Sequence, residues 1–187
     1  MTDGSPAQAL QAGTPAAALA ARAKLGDRKA FGRLYELYGA FVHGVLLALV
    51  DPGQAQDLVQ DVFLKALRSI RELEDPERFT PWLATIARNR GRDALRVRGQ
   101  EPAELEGVPE PADDPPDDPD SDEEAALALA TIRGLPAVYR ETMMLRLVEG
   151  MSGPEIAERT GMTHGSVRVN LCRGMKLLRE RMTREAG

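Results

Sequence analysis

The chain has 187 residues, and its 43% hydrophobic content suffices for packed cores, but only 4% is aromatic, so Leu, Val, Ile, Ala and Met must build them. Its one cysteine, Cys172, excludes an intrachain disulfide and fits a reduced cytoplasm, and its longest apolar run, residues 41–50, falls far short of the ~20 residues that cross a bilayer. The formal net charge of −5 argues against nucleic acid only until it is divided: residues 101–124 hold 12 acids and no Lys or Arg, which leaves 24 cations against 17 acids on the remainder, or +7.

Residues 1–20 are rich in Ala, Gly, Gln and Pro, with no basic start and no compact apolar segment. They read as a disordered tail that turns helical near Pro15, and not as a signal peptide. The first body, residues 21–98, reads as helical. Ala30, Leu34, Leu37, Tyr38, Phe41, Val45 and Leu49 place helices over residues 27–50. Asp51-Pro52-Gly53 is a turn signal. Beyond it, Leu58, Val59, Val62, Phe63, Ala66, Leu67 and Ile70 recur at steps of three and four and stripe one face of a helix. Asp57, Gln60, Asp61, Lys65 and Arg68 fall off that face, and Asp61 stands four residues before Lys65 in the favourable order for an exposed pair. Trp82, Leu83, Ile86, Ala87 and Leu95 stripe a further helix starting near Pro81. It also carries Arg88, Arg90, Arg92, Arg96 and Arg98 against one acid, Asp93, which is too lopsided for an ordinary solvated face. Trp82 reads more readily as a core anchor than as a platform for a base.

Residues 99–121 contain Pro102, Pro109, Pro111, Pro115, Pro116 and Pro119 within the acidic run. Proline blocks helix continuation, and dense like charge prevents a core, so this segment is predicted to be a flexible, self-repelling linker. The second body, residues 122–184, opens with Leu127, Leu129 and Ile132, turns at Gly134 and Pro136, and continues through Tyr139, Met143, Met144, Leu147 and Val148 to Gly150. Ser152-Gly153-Pro154-Glu155 has the form of a capping box. A short helix over residues 154–159, a turn at Gly161 and a cap at Thr163 then introduce a longer helix to about Arg181. Val167, Leu171, Met175 and Leu178 form its inward stripe; Val169, Arg173 and Lys176 point away, flanked by Arg168 and Asn170.

A short helix, a glycine turn and a longer basic helix make a helix-turn-helix, whose second helix enters the major groove. Arg can make two bonds to guanine there and Asn two to adenine, while Lys176 and Arg179 suit phosphate. The competing reading is an αα-hairpin with a solvated basic face. No catalytic site, cofactor or metal is expected: His43 and His164 lack ligand spacing with Cys172, and no glycine loop suits phosphate. A polymerase-independent repressor would account for residues 135–181 but not for the helices over residues 57–98. An adaptor without a DNA role is a third reading.

These residues resemble the sigma-70 family of RNA polymerase sigma factors, in its extracytoplasmic-function (ECF) group. Four stretches carry the likeness: Gly26-Asp27-Arg28-Lys29-Ala30-Phe31; Asp57-Leu58-Val59-Gln60-Asp61-Val62-Phe63-Leu64-Lys65-Ala66; Phe79 to Trp82-Leu83 with Ile86-Ala87-Arg88-Asn89 and Asp93; and residues 135–178. The resemblance implies an all-α protein of two small helical domains, a region-two bundle and a region-four helix-turn-helix. Asp57, Gln60, Asp61, Phe63 and Lys65 would dock on the clamp of the polymerase large subunit, with Phe63 open to a core role. Asn89 would capture an unstacked base of the minus-ten element within the segment 73–79, and Arg88, Arg90, Arg92 and Arg96 would hold the displaced strand. Thr163, His164, Ser166, Arg168, Asn170, Arg173 and Lys176 would meet the minus-thirty-five element. The implied partners are RNA polymerase core (clamp and flap), promoter DNA and an anti-sigma factor, with the chain a cytoplasmic bacterial protein, monomeric outside complexes. The acidic linker has two readings, a plug for a cationic polymerase channel or a spacer. Gly91, Gly165 and Gly174 inside helices, Gln56 where relatives carry an acid, and the outward Val169, suited to a thymine methyl, depart from the pattern.

Overall fold

The computed structural model describes residues 14–97 and 122–185. These form eight α-helices in chain order: α1 Pro15–Lys24, α2 Arg28–Leu47, α3 Pro52–Ser69, α4 Phe79–Val97, α5 Asp122–Arg133, α6 Ala137–Leu147, α7 Gly153–Thr160 and α8 His164–Glu185. Two single 3-10 turns, Ile70–Glu72 and Pro76–Arg78, join α3 to α4. Among the described residues there is no strand, and no helix is long and apolar enough to cross a membrane. The predicted linker 99–121, Arg98 and residues 1–13 of the predicted tail lie outside the described residues.

The helix starts follow local chemistry. Asp27 caps α2, its carboxylate accepting from the Lys29 and Ala30 amides at 2.9 and 3.0 Å. Those amide bonds, that of Ala30 foremost, and the bond from Arg22 hold its carboxyl below the ordinary carboxylate range. Pro52 opens α3 at its first turn, where a missing N–H costs nothing, so the predicted Asp51-Pro52-Gly53 turn is the entry to a helix. The capping box is present: the Glu155 amide donates to the Ser152 hydroxyl, and the Ser152 amide donates back to the Glu155 carboxylate at 2.8 Å. Gly161 ends α7 with φ +76°, the left-handed conformation that glycine adopts at least cost.

Residues 15–20, placed in the predicted tail with a helical turn near Pro15, belong to a helix that packs on the first body. Pro15 starts α1 under a Thr14 cap, and Ala17, Ala20 and Ala23 are buried. An alanine stripe carries little hydrophobic signal in sequence, yet it lets α1 lie close against α2 and the segment before α4. The first bundle packs Leu34, Phe41, Val45 and Leu46 of α2 against Leu58, Val62 and Phe63 of α3 and Phe79, Leu83 and Ala87 of α4. A buried hydrogen bond of 3.0 Å runs from the Thr80 hydroxyl to the Tyr38 hydroxyl. The second bundle packs Ile132, Leu135, Met143, Met144, Ile156, Val167, Met175 and Leu178.

The two bundles also pack on one another. Gly44 marks the approach of α2 to α6: a Cβ there would lie 2.8 Å from both Leu145 and Glu149. α4 rests against α7, and the Arg159 guanidinium lies 5.2 Å from the centroid of the Tyr38 ring. Gly91 and Gly174 do similar work. A Cβ at either would come within 2.6 Å of a neighbour, Leu49 or Met143, so close helix approach offsets the intrinsic helix cost of glycine.

Ser152→Ala should lower the thermal midpoint of the chain, with a loss of about 1 kcal/mol at the α7 start. The Ser152 hydroxyl and amide hold the Glu155 carboxyl below its ordinary range. A depressed acid contributes stability above its unfolded pKa and loses it as pH falls through the folded value. The deficit of the variant should therefore shrink on acidification through the carboxylate range, measured by thermal unfolding at a series of pH values.

Candidate nucleic-acid interface

α4 has two unlike faces because its apolar residues recur at steps of three and four. Phe79, Leu83, Ala84, Ala87 and Gly91 are buried. On the other side Thr85, Asn89, Arg92 and Arg96 are exposed, one beside the next along the helix. Of the cations expected there, Arg92 and Arg96 project from this face, Arg96 with a loose 3.6 Å contact to Asp93. Arg90 is ion-paired with Asp61 of α3. Asp61 thus takes a partner on a neighbouring helix, where the sequence suggested Lys65. Arg88 departs furthest from expectation. It donates two bonds to Glu141 of α6, at 2.9 and 2.6 Å, with the two side chains 24% and 15% exposed. The Glu141 bond raises the Arg88 pKa above its already high ordinary value, against the opposing effect of burial. In this arrangement Arg88 is a structural cation and is not presented to DNA.

The segment before α4 is folded and anchored. Leu73 and Phe79 are buried at its two ends, while Glu74, Asp75, Glu77 and Arg78 are exposed. The Asp75 carboxylate accepts from the Glu77 amide at 3.0 Å. α1 lies alongside, a neighbour that the sequence reading did not use. Trp82 is half-buried, tilted at 44° to Phe79 with centroids 5.9 Å apart, in keeping with the anchor role.

On α3, Asp57, Gln60 and Lys65 are exposed and Asp61 is half-exposed. Phe63 is corrected to a core residue. It is 3% exposed and meets the rings of Phe31 and Tyr35 at 6.3 and 4.6 Å, because it shares the stripe of Val59, Val62 and Ala66. Leu64 and Leu67 of α3 and Tyr35 and Leu37 of α2 are exposed. An open groove of about 500 Å³, lined by Tyr35, Gly39, His43, Gln56, Val59 and Gln60 among others, runs between these helices. Acid, amide and exposed apolar groups side by side suit a protein partner better than a phosphate backbone.

At the start of α8 the Thr163 hydroxyl accepts from the Ser166 amide at 3.1 Å and bonds the Ser166 hydroxyl at 2.8 Å. Thr163, His164, Ser166, Arg168 and Lys176 are exposed and Arg173 is half-buried. Asn170 is corrected. It is 9% exposed, with its amide nitrogen 3.9 Å from the Met162 sulfur. The inward stripe of α8 includes Val167, Asn170, Gly174 and Leu178 as well as Met175, and Gly174 draws this side of the helix against Met143. Asn170 therefore supports the turn. Among the described residues no group of three or more His, Cys, Asp or Glu could hold a metal.

Two family models match, Sigma-70 region 2 over residues 34–101 and Sigma-70, region 4 over residues 126–178. The chain is 30% identical to the ECF RNA polymerase sigma-E factor of Haemophilus influenzae over 177 residues, covering 88% of this chain and 94% of that protein. It is 38% identical to the RNA polymerase sigma factor CarQ of Myxococcus xanthus over 161 residues, covering 83% of this chain and 90% of that one. Among solved structures it is similar to CnrH in complex with the cytosolic domain of CnrY, with TM-score 0.61, 26% identity and coverage of 90% and 97% of the two chains. It is also similar to the sigma factor RpoE of Bartonella quintana, solved with the anti-sigma factor NepR, with TM-score 0.56, 25% identity and coverage of 83% and 98%.

Breaking the pair between the bundles should loosen them. Glu141→Gln leaves a half-buried guanidinium with a weaker acceptor and should cost the packed arrangement about 1–3 kcal/mol. Dyes placed in α2 and α7 should then report a larger mean separation than in the unaltered chain, with helicity unchanged by circular dichroism.

Proposed function

The chain belongs to the sigma-70 family of RNA polymerase sigma factors, in its ECF group, and from that membership we propose the residue roles by which it acts. It is a transcription initiation factor that binds RNA polymerase core, recognises the minus-thirty-five and minus-ten promoter elements and promotes DNA melting. The observation that carries the assignment of roles is the exposed Asn89–Arg92–Arg96 face of α4, which continues from the anchored segment 73–79.

Melting without ATP requires that unpairing and unstacking, a few kcal/mol for a flipped base, be offset by contacts to the opened strand. Asn89 can offer both a donor and an acceptor to the edge of a flipped base. Arg92 and Arg96 follow on the same face and hold the phosphates of the displaced strand. Stacking on a protein surface adds ~1–3 kcal/mol per base. Asp57, Gln60 and Lys65 of α3, with the exposed Leu64 and Leu67 beside them, dock on the polymerase clamp. Asp61 contributes through Arg90, whose side chain it orients.

In region four, Arg168 and Arg173 read base edges in the major groove. Lys176 and the exposed α8 start at Thr163, His164 and Ser166 meet phosphates, where helix amides and dipole favour an anion. Elements about 25 base pairs apart lie roughly 85 Å apart along B-DNA. The packed bundles must therefore separate on a promoter, and Arg88 then exchanges Glu141 for DNA phosphate. The 24 residues between α4 and α5 reach at most ~3.3–3.6 Å each when fully extended, a length of the same order as that span. An anti-sigma factor is a further proposed partner, as for the Bartonella RpoE, and the α2–α3 groove suits it.

Run-off transcription by purified chain and core polymerase on a promoter library, with any inhibitor absent, tests the function. Start-site selection is expected; its absence would overturn the reading. Arg173→Ala should lose ~1–3 kcal/mol of discrimination at one minus-thirty-five position, read by competition binding of holoenzyme to single-base variants. Asn89→Ala should retain core binding and open promoters slowly, measured by permanganate reactivity of unpaired thymines; normal opening would remove Asn89 from base capture.

A further inference from the structure

We propose that α1 is a strut that holds the segment 73–79 in its base-receiving shape, with Lys24 as the positioning residue. The inference rests on the reading of that segment as the enclosure of a flipped base. Its observations are separate from those for α4. The Lys24 ammonium donates to the Leu73 carbonyl oxygen and lies 3.5 Å from that of Glu74. These are carbonyls of a chain that has just left a 3-10 turn and has no helix to bond them. At the other end of α1, the Thr14 amide and hydroxyl each donate to the Glu77 carboxylate at 3.3 Å. One ten-residue helix thus grips the segment near its beginning and again near its end.

The seating is close because the inner face of α1 is alanine: Ala17, Ala20 and Ala23 are 5%, 0% and 5% exposed. Beneath it, Leu73 at 4% and Phe79 at 1% exposure pin the ends of the segment. Between these buried ends lies the short stretch from Glu74 to Arg78, held by the α1 contacts and with the Asp75 carboxylate turned onto the Glu77 amide. A receptor for a flipped base gains from being ordered beforehand. A segment that must be ordered on capture loses conformational freedom at that moment, and the loss subtracts from the interaction that offsets unstacking. Lys24 touches no base in this scheme. It acts through the backbone of residues 73 and 74. A purely structural Lys24, complementing the carbonyl end of α1, would affect stability without affecting how the captured base is read.

The test uses holoenzyme assembled from core polymerase and the full chain. The probes are a single-stranded oligonucleotide carrying the non-template minus-ten element of a promoter selected by run-off, and a series with each base in turn replaced by an abasic site. Unaltered holoenzyme should lose affinity at one abasic position. Lys24→Met, which keeps the stem and removes the donor, should bind the intact oligonucleotide about tenfold more weakly and should no longer distinguish that abasic probe. Core affinity and binding to minus-thirty-five duplex should be unchanged, and Lys24→Arg should restore discrimination. Thr14→Val, at an exposed position, should weaken discrimination in the same direction and serves if Lys24→Met fails to fold. Retained discrimination in these variants overturns the strut while leaving base capture intact. Equal loss of core, duplex and oligonucleotide binding also overturns it, in favour of a structural role. Indifference of the unaltered holoenzyme to every abasic probe removes base capture, and the strut with it.

Discussion

The two-faced burial of α4 is the constraint from which most of the structure follows. A helix that leaves Asn89, Arg92 and Arg96 exposed is packed through its other side. That side is narrow: Phe79, Leu83, Ala84, Ala87 and Gly91. Small residues at 84, 87 and 91 allow α2 and α3 to come close, and Gly91 admits Leu49 where any Cβ would collide. The large side chains lie at the start of the helix, where Phe79 packs edge-on to Tyr38 with centroids 5.5 Å apart. The anchored end of α4 is thus the end nearest the segment 73–79, and the cationic face extends from a rigid base, as a preorganised site requires.

Electrostatics divides the cations of the same helix. Arg88 is satisfied by a carboxylate of the second bundle, Arg90 by a carboxylate of the first, and Arg92 and Arg96 project outward. A guanidinium left half-buried without a partner is costly, so Glu141 is required by Arg88 as long as the bundles stay packed. The His43–Glu149 contact at 2.8 Å and the Arg133–Asp51 pair lie along the same boundary.

Glycine ties the fold to this scheme in a way that helix propensity obscures. Gly44, Gly91 and Gly174 all sit inside helices, and at each a Cβ would come within 2.8 Å of a neighbouring side chain. Gly44 serves the contact between the bundles, Gly91 seats α4, and Gly174 seats α8 while turning Asn170 inward. Of the glycines that stand out in sequence as departures from a helical pattern, Gly91 and Gly174 are points of close helix approach, whereas a Cβ at Gly165 would meet nothing nearer than 3.9 Å.

Much was legible in the amino-acid order because it is local. The steps of three and four in residues 58–70, the Ser152–Glu155 capping box, the Gly161 turn and the Thr163 cap each depend on groups within one or two turns of helix, and all are present. α1 was partly missed because its buried stripe is alanine, too weakly apolar to register. Which polar groups on α2, α3 and α4 are occupied was decided by tertiary structure alone. Asp61 meets Arg90 across 29 residues, Arg88 meets Glu141 across 53, and His43 meets Glu149 across 106. Asn170 turned inward for a related reason, whereas Phe63 lies on the stripe that periodicity already marked. Periodicity gives the angle of a side chain about its own helix axis, but how wide a sector of that helix is covered depends on how near its neighbours stand, and that distance is set by residues elsewhere in the chain.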